Sequence, residues 1–161
     1  MRDEPVIHRG LSIIIVAGGL ALLGATPANA GILCSVSSSG LAFGVYNVTV
    51  PAPTVATGSV TVNCTGDTEP ANNRILYLSG GGSGNYNARR MLSGANPLNY
   101  QIYTDASRTI VWGDGSNGTG SVTLAVAIPG SASATLYGRV PALQSVPIGS
   151  YLDTIVVTVN F

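Results

Sequence analysis

Tyr151-Leu-Asp-Thr-Ile-Val-Val-Thr-Val-Asn-Phe161 is the stretch that decides the fold class. Ile155, Val157, Val159 and Phe161 fall on one side of an extended chain, and Thr154, Val156, Thr158 and Asn160 on the other. A period of two with one apolar face marks a half-buried β-strand rather than a helix. The same alternation appears upstream, where Val60, Val62 and Cys64 interleave with Thr61 and Asn63, and where Val122, Leu124, Val126 and Ile128 share a face. Ile75-Leu-Tyr-Leu78, residues 98–103 and residues 134–138 read as further strands. Turn chemistry separates them: the glycine run from Gly80 to Gly84, Trp112-Gly-Asp-Gly115, Asn117-Gly118, and Pro129-Gly130, which reads as a strand stop. No stretch combines a helical period with start and stop signals. The expectation is an all-β antiparallel sandwich.

Composition narrows the function classes. The 161 residues include 21 Gly and 9 Pro, and only 9% are charged, against about a quarter in ordinary domains. Seven basic and seven acidic side chains cancel, Lys is absent, and the single His is His8. A neutral, lysine-free chain offers no basic patch for nucleic acid and no polybasic membrane anchor. Two cysteines and one His are too few for a Cys/His zinc site, so no metal and no cofactor is expected. A 45% hydrophobic share is ample for a core and argues against disorder.

Residues 1–30 read as a secretory signal peptide. Arg2, His8 and Arg9 form a basic start, and residues 11–23 are an apolar run too short to span a bilayer. Ala28-Asn29-Ala30 supplies the small-x-small cleavage pattern. Leu33, where a small residue should precede a lipidated cysteine, argues against a lipoprotein at Cys34. Residues 31–161 are then one exported domain. Its charges are Arg74, Arg89, Arg90, Arg108 and Arg139 against Asp67, Glu69, Asp105, Asp114 and Asp153. In an oxidising compartment Cys34 and Cys64 are expected to pair, two buried free thiols being the alternative.

Materials for catalysis are scarce. Without His or Lys downstream of the leader, general bases reduce to five carboxylates and the tyrosines. Asp105 and Asp114 are the nearest approach to a carboxylate pair, and Asp114 beside Gly115 has the look of a turn residue. Asp114-Gly-Ser-Asn-Gly118 lacks the acidic spacing of a calcium loop. The expectation is that the protein is not an enzyme. Arg89-Arg90 reads as a solvated pair, and Trp112 and the tyrosines as packing residues rather than a sugar platform.

A family resemblance rests on an ordered set of motifs. Cys34 is followed by Leu41-Ala-Phe-Gly-Val-Tyr46 and Gly58-Ser-Val-Thr-Val-Asn-Cys64. Then come Arg90-Met91, Leu98-Asn-Tyr-Gln-Ile-Tyr-Thr-Asp105, Trp112-Gly-Asp-Gly115, Leu136-Tyr-Gly-Arg-Val-Pro141 and Gly149-Ser-Tyr-Leu-Asp-Thr154. Across residues 31–161 the chain resembles the spore coat protein U domain, which includes subunits of archaic, Csu-type chaperone–usher pili. The resemblance implies an immunoglobulin-like sandwich missing its last strand. It implies a periplasmic chaperone that lends a strand, an outer-membrane usher, and other pilus subunits whose N-terminal extensions replace the lent strand. It matches Cys34–Cys64 to the family's disulfide. It also places Ile155, Val157, Val159 and Phe161 in the acceptor groove or against the chaperone strand, with the terminal carboxylate as a handle for a basic chaperone residue. The apolar final strand has no partner strand after it, which agrees with that picture.

Only Gly31, Ile32 and Leu33 precede Cys34 in the expected mature chain, too few to fill a groove along a strand of about five or six residues. The chain is therefore expected to accept a strand rather than donate one. A structural subunit of a pilus or coat, carried through the periplasm to the cell surface, is the leading reading. A tip or adhesin-like subunit that binds a surface or glycan, or a stand-alone secreted coat protein, is the alternative.

Overall fold

The structure is a computed structural model that describes residues 31–160; the leader expected at residues 1–30 and Phe161 lie outside the described residues. Seven strands follow in order: β1 (Leu33–Ser38), β2 (Thr54–Leu78), β3 (Arg90–Ser93), β4 (Asn96–Asn99), β5 (Gln101–Tyr103), β6 (Val122–Val140) and β7 (Val157–Asn160). A single 3-10 turn at Gly81–Ser83 sits in the expected glycine loop.

The fold is organised by two very long strands. β2 and β6 pair antiparallel along their whole lengths, from Thr54 opposite Val140 to Leu76 opposite Val122. The ladder shifts register twice in one stretch, between Cys64 and Glu69 and again between Glu69 and Asn72, where β2 carries extra residues against the part of β6 from Gly130 to Val126. A bulge of this kind bends a strand pair and lets it cross from one layer of a sandwich to the other. Pro129-Gly130 therefore marks a corner rather than the end of a strand, because Gly130 still pairs with Cys64. Proline cannot donate to a ladder, so the irregular stretch is the position that tolerates it.

Each half of the ribbon gathers its own partners. The half formed by residues 54–65 and 130–140 has β1 on the β2 edge and β5 on the β6 edge. The other half, residues 69–78 and 122–128, has β7 on the same β2 edge that carries β1 further back. Inward-facing side chains of the two layers meet in one core: Val60, Val62, Cys64, Ala134, Leu136 and Val140 from the first, Leu76, Leu78, Val126 and Ile128 from the second. The small β3–β4 hairpin covers part of this core with Met91 and Leu98. The strand expected over residues 98–103 is divided, its first part belonging to the hairpin and its second to the main sheet, with the buried Tyr100 between them.

This is the expected all-β antiparallel sandwich, and its sheets do not close. Cys34 lies directly opposite Cys64 on β1 and β2, and the two are joined as a disulfide with Cα atoms 4.1 Å apart. Pairing wins over free thiols because register places the two sulfurs on one face of neighbouring strands.

Candidate strand-binding groove

β1 and β7 occupy different lengths of the same β2 edge, one in each layer. The fold at the corner brings both to the same side of the sandwich. Among the described residues no strand pairs with the outer edge of either. Two signs show that this side is open. Val36 shares the inward face with Val62, opposite it in register, yet Val36 is 44% exposed while Val62 is fully buried. On the facing wall, Ile155, Val157 and Val159 pack on the core but remain only half-buried.

The opening continues as a groove with two walls. One wall is the segment after β1: Ser38, Gly40, Leu41 and Phe43, then Val45 and Val48. The other is the approach to β7: Val157, Ile155 and Asp153, then Tyr151, Ile148 and Val146. The walls run antiparallel to each other, since the β1 end faces Val157 and the residue-48 end faces Ile148. The floor is core: Leu78, Met91, Leu98, Tyr100, Ile102, Leu136 and Val140. The narrow part, by β7, encloses about 230 Å³, and the wider part about 850 Å³.

Both walls carry backbone groups without a ladder. Residues 41–45 and 145–151 form no backbone–backbone hydrogen bond with other described residues. Val156 accepts from Ser79 N–H at 2.9 Å and donates to Ser79 Oγ at 2.9 Å, toward β2. Strand alternation then turns the N–H and C=O of Ile155 and Val157 toward the opening. A groove of apolar side chains bordered by unpaired N–H and C=O groups has the chemistry of a β-strand acceptor. The strand expected from residue 151 forms its ladder only at Val157–Asn160; residues 151–156 are the extended wall, tied at Leu152 to Leu92 of β3.

One polar group stands in this apolar wall. Asp153 accepts from Tyr100 Oη at 2.7 Å, Gly82 N–H at 2.8 Å and its neighbour Thr154 N–H at 2.8 Å. It fastens the wall to the glycine turn and to the floor. Gly81 is required beside it, because its φ is +64° and a Cβ there would run into the Asp153 carboxylate. Burial, reinforced by the hydrogen bond to Asp153, pushes the Tyr100 phenol far above its ordinary pKa.

The sequence profile of the Spore Coat Protein U domain matches residues 20–158, nearly the whole of the described chain and part of the expected leader. The chain belongs to this family. A second relationship agrees: Protein U of Myxococcus xanthus is 35% identical over 147 residues, covering 83% of this chain and 80% of that protein. Among solved structures, the chaperone–tip adhesion subunit pre-assembly complex CsuC–CsuE, from the archaic chaperone–usher Csu pili of Acinetobacter baumannii, matches with a TM-score of 0.57 at 21% identity. That match covers 81% of this chain, which spans 40% of the Csu chain, and it establishes a shared fold.

For this member of the Spore Coat Protein U family, the residues singled out in the sequence distribute as follows. Ile155 and Val157 line the groove; Val159 lies beyond them on the same face; Phe161 is outside the described residues. The opposite wall at residues 38–48 and the floor tyrosine Tyr100 carry family motifs in the sequence but, beyond the alternation of Leu41 and Phe43, no sign there that they border a groove. Arg89 departs from the expected solvated pair: it is fully buried, whereas Arg90 is exposed. Its guanidinium donates to Ser79 O at 2.7 and 3.0 Å, Trp112 O at 2.7 Å and Gln101 Oε1 at 2.8 Å. Arg89 immediately precedes β3 and Arg90 begins it; neighbouring residues of an extended chain point to opposite sides, and carbonyls left over where loops meet the core supply the inner one with acceptors. Desolvation lowers its pKa.

Asp105 and Asp114 do not form a site. Asp105 accepts from Thr109 N–H, Ile110 N–H and Thr109 Oγ1; Asp114 accepts from Ser116 N–H, Ser116 Oγ and Tyr86 Oη. Asp105 holds its own turn, and Asp114 holds its own turn and also ties Tyr86 to it. Trp112 is fully buried, its Nε1 donating to Leu76 O at 3.0 Å.

Proposed function

We propose that this protein is a non-catalytic structural subunit of a cell-surface pilus or coat, exported by its leader and completed by a β-strand donated from another chain. The observation that carries the reading is the pair of unpaired edges, β1 in one layer and β7 in the other, facing a common apolar groove. One inserted strand would run antiparallel to one wall and parallel to the other. It would cover Val36, Ile155, Val157 and Val159, and give ladder partners to the backbone of both walls. An open edge of this size is an aggregation hazard for a secreted chain unless a partner covers it.

The partners follow from this chemistry together with family membership. A periplasmic chaperone would lend the first strand, an outer-membrane usher would receive the complex, and neighbouring subunits would supply the permanent strand. The Csu chaperone–tip adhesion subunit pre-assembly complex, one chain of which shares this fold, supports the chaperone step. Ile155, Val157 and Val159 would give the incoming strand its apolar face, and Phe161, outside the described residues, is proposed to extend it.

Co-expression with and without a chaperone of this class, followed by addition of a synthetic donor-strand peptide, tests the reading. The expected result is an aggregating or loosely folded chain alone, a soluble complex with chaperone, and a large rise in melting temperature on strand exchange. A chain that is monomeric and cooperatively folded by itself, with a melting temperature indifferent to donor peptide, would overturn it.

A further inference from the structure

We propose that the outer face of the main sheet, around Tyr103 and Tyr137, binds an acidic polysaccharide, one whose sugars carry uronate carboxylates. Tyr103 on β5 and Tyr137 on β6 are directly opposite in register and point away from the core, as the burial of their neighbours Ile102, Leu136 and Gly138 requires. Opposed residues on neighbouring strands stand about 5 Å apart at the backbone, so the two half-exposed phenols project side by side from one face. A tyrosine ring offers an apolar face to the C–H side of a sugar ring and a hydroxyl to its oxygens.

Charge on this face is one-sided. Arg139 is exposed two residues beyond Tyr137 on the same side of β6 and makes no ion pair or hydrogen bond with a described side chain. Arg108 reaches β6 at Gly138, between Tyr137 and Arg139, its Nε donating to Gly138 O at 3.2 Å while its Nη1 donates to Ala106 O of its own loop at 3.0 Å. Thr57 and Thr135, beside and along from Tyr137, add hydroxyls and no charge. Asp105, two residues after Tyr103 in sequence, has its carboxylate turned to the N–H groups of its own loop. A guanidinium fork without a carboxylate partner, next to two rings, is complementary to a planar carboxylate carried on a sugar. The face lies on the opposite side of the sheet from the groove, so a strand in the groove leaves it free.

The test uses the secreted full-length protein, in complex with its chaperone where that is needed for solubility. It measures affinity for polygalacturonate and for the same polymer with its carboxylates methyl-esterified. Binding is expected for the acid form, weakened roughly tenfold by esterification and by Arg139→Gln. Tyr137→Ala should weaken binding to both polymers, while Thr61→Ala, further along the same face, should change neither. Circular dichroism of each variant separates lost binding from lost fold, and Tyr103→Ala gives a second aromatic variant if Tyr137→Ala does not fold. No binding of polygalacturonate, equal binding of the two polymers, or wild-type affinity in Arg139→Gln would each overturn the proposal. None of these outcomes bears on the strand-accepting groove.

Discussion

On the β5 side of the sandwich, one short segment ties both layers together. Trp112 N–H donates to Ile102 O at 2.9 Å in one layer, and Gly113 O accepts from Leu78 N–H at 3.1 Å in the other. Arg89 fills the space behind it, donating to carbonyls at Ser79 and Trp112. On the β1/β7 side no described residue does this, and inward-facing Val36 stays exposed. The closed side is built from the chain's own loops. Among the described residues, the open side has no such segment, one that pairs with an edge and at the same time supplies side chains to the core.

The largest effects should separate the two sides. Trp112→Ala removes the biggest fully buried side chain and its bond to Leu76 O, and should cost about 3–5 kcal/mol, most of a small domain's net stability. Val157→Ala on the groove wall should cost only about 0.5–1 kcal/mol in the free subunit, because the side chain is half-exposed there. Denaturant midpoints measured with and without a donor strand sharpen the contrast. The cost of Val157→Ala should grow when the strand is present, and that of Trp112→Ala should not. Equal costs for Val157→Ala in the two states would mean that the groove is not where the strand goes.

Much of this architecture was legible in the residues, for physical reasons that also explain the gaps. Alternation of Val60, Val62 and Cys64, or of Ile155, Val157 and Val159, reports directly which face of a strand is apolar, since period and burial share one cause. It cannot report that Pro129-Gly130 is a corner, because the same dipeptide serves a turn, and only pairing of Gly130 with Cys64 distinguishes the two. Nor can it place Arg89, whose burial depends on carbonyls contributed by Ser79 and Trp112, 10 and 23 residues away. The groove was half legible. Its β7 wall follows from one alternating strand, while its other wall, residues 38–48, has no ladder and emerges only once the two layers are folded over each other.

A smaller effect probes how the open wall is held without a strand beside it. The Tyr100 phenol, its pKa raised by burial and by Asp153, favours the folded state only while protonated. Its contribution is complete below the ordinary tyrosine pKa of about 10 and falls away as pH rises above it toward the folded value. Thermal melts should therefore show a loss of stability above about pH 10, largest in the wild type. Tyr100→Phe should flatten that alkaline limb while costing about 1 kcal/mol at neutral pH from the lost hydrogen bond. Asp153→Asn should loosen the wall at Gly82 and reduce donor-strand affinity more than Trp112-side substitutions of similar cost. An alkaline limb unchanged in Tyr100→Phe would assign it to other tyrosines.

The smallest effect belongs to the turns near the closed side and separates local order from assembly. Backbone N–H donors at Ile110 and Thr109 hold the Asp105 carboxyl below its ordinary pKa, and the Ser116 hydroxyl and N–H do the same for Asp114. A depressed carboxyl pKa stabilises the folded turn above the unfolded value, near pH 4, and the benefit is lost as pH falls through the folded one. Both groups are solvent-exposed, so protonation should release residues 105–110 and 114–119 without unfolding the sandwich. Amide resonances of Thr109, Ile110 and Ser116 should move between about pH 4 and pH 2 while those of Val62 and Leu76 hold still. Asp105→Ala and Asp114→Ala should abolish those shifts and leave strand acceptance at wild-type affinity. A loss of strand binding in either variant would show that the closed side is coupled to the open one through the core, and that the two sides are not the independent structures the hydrogen bonds describe.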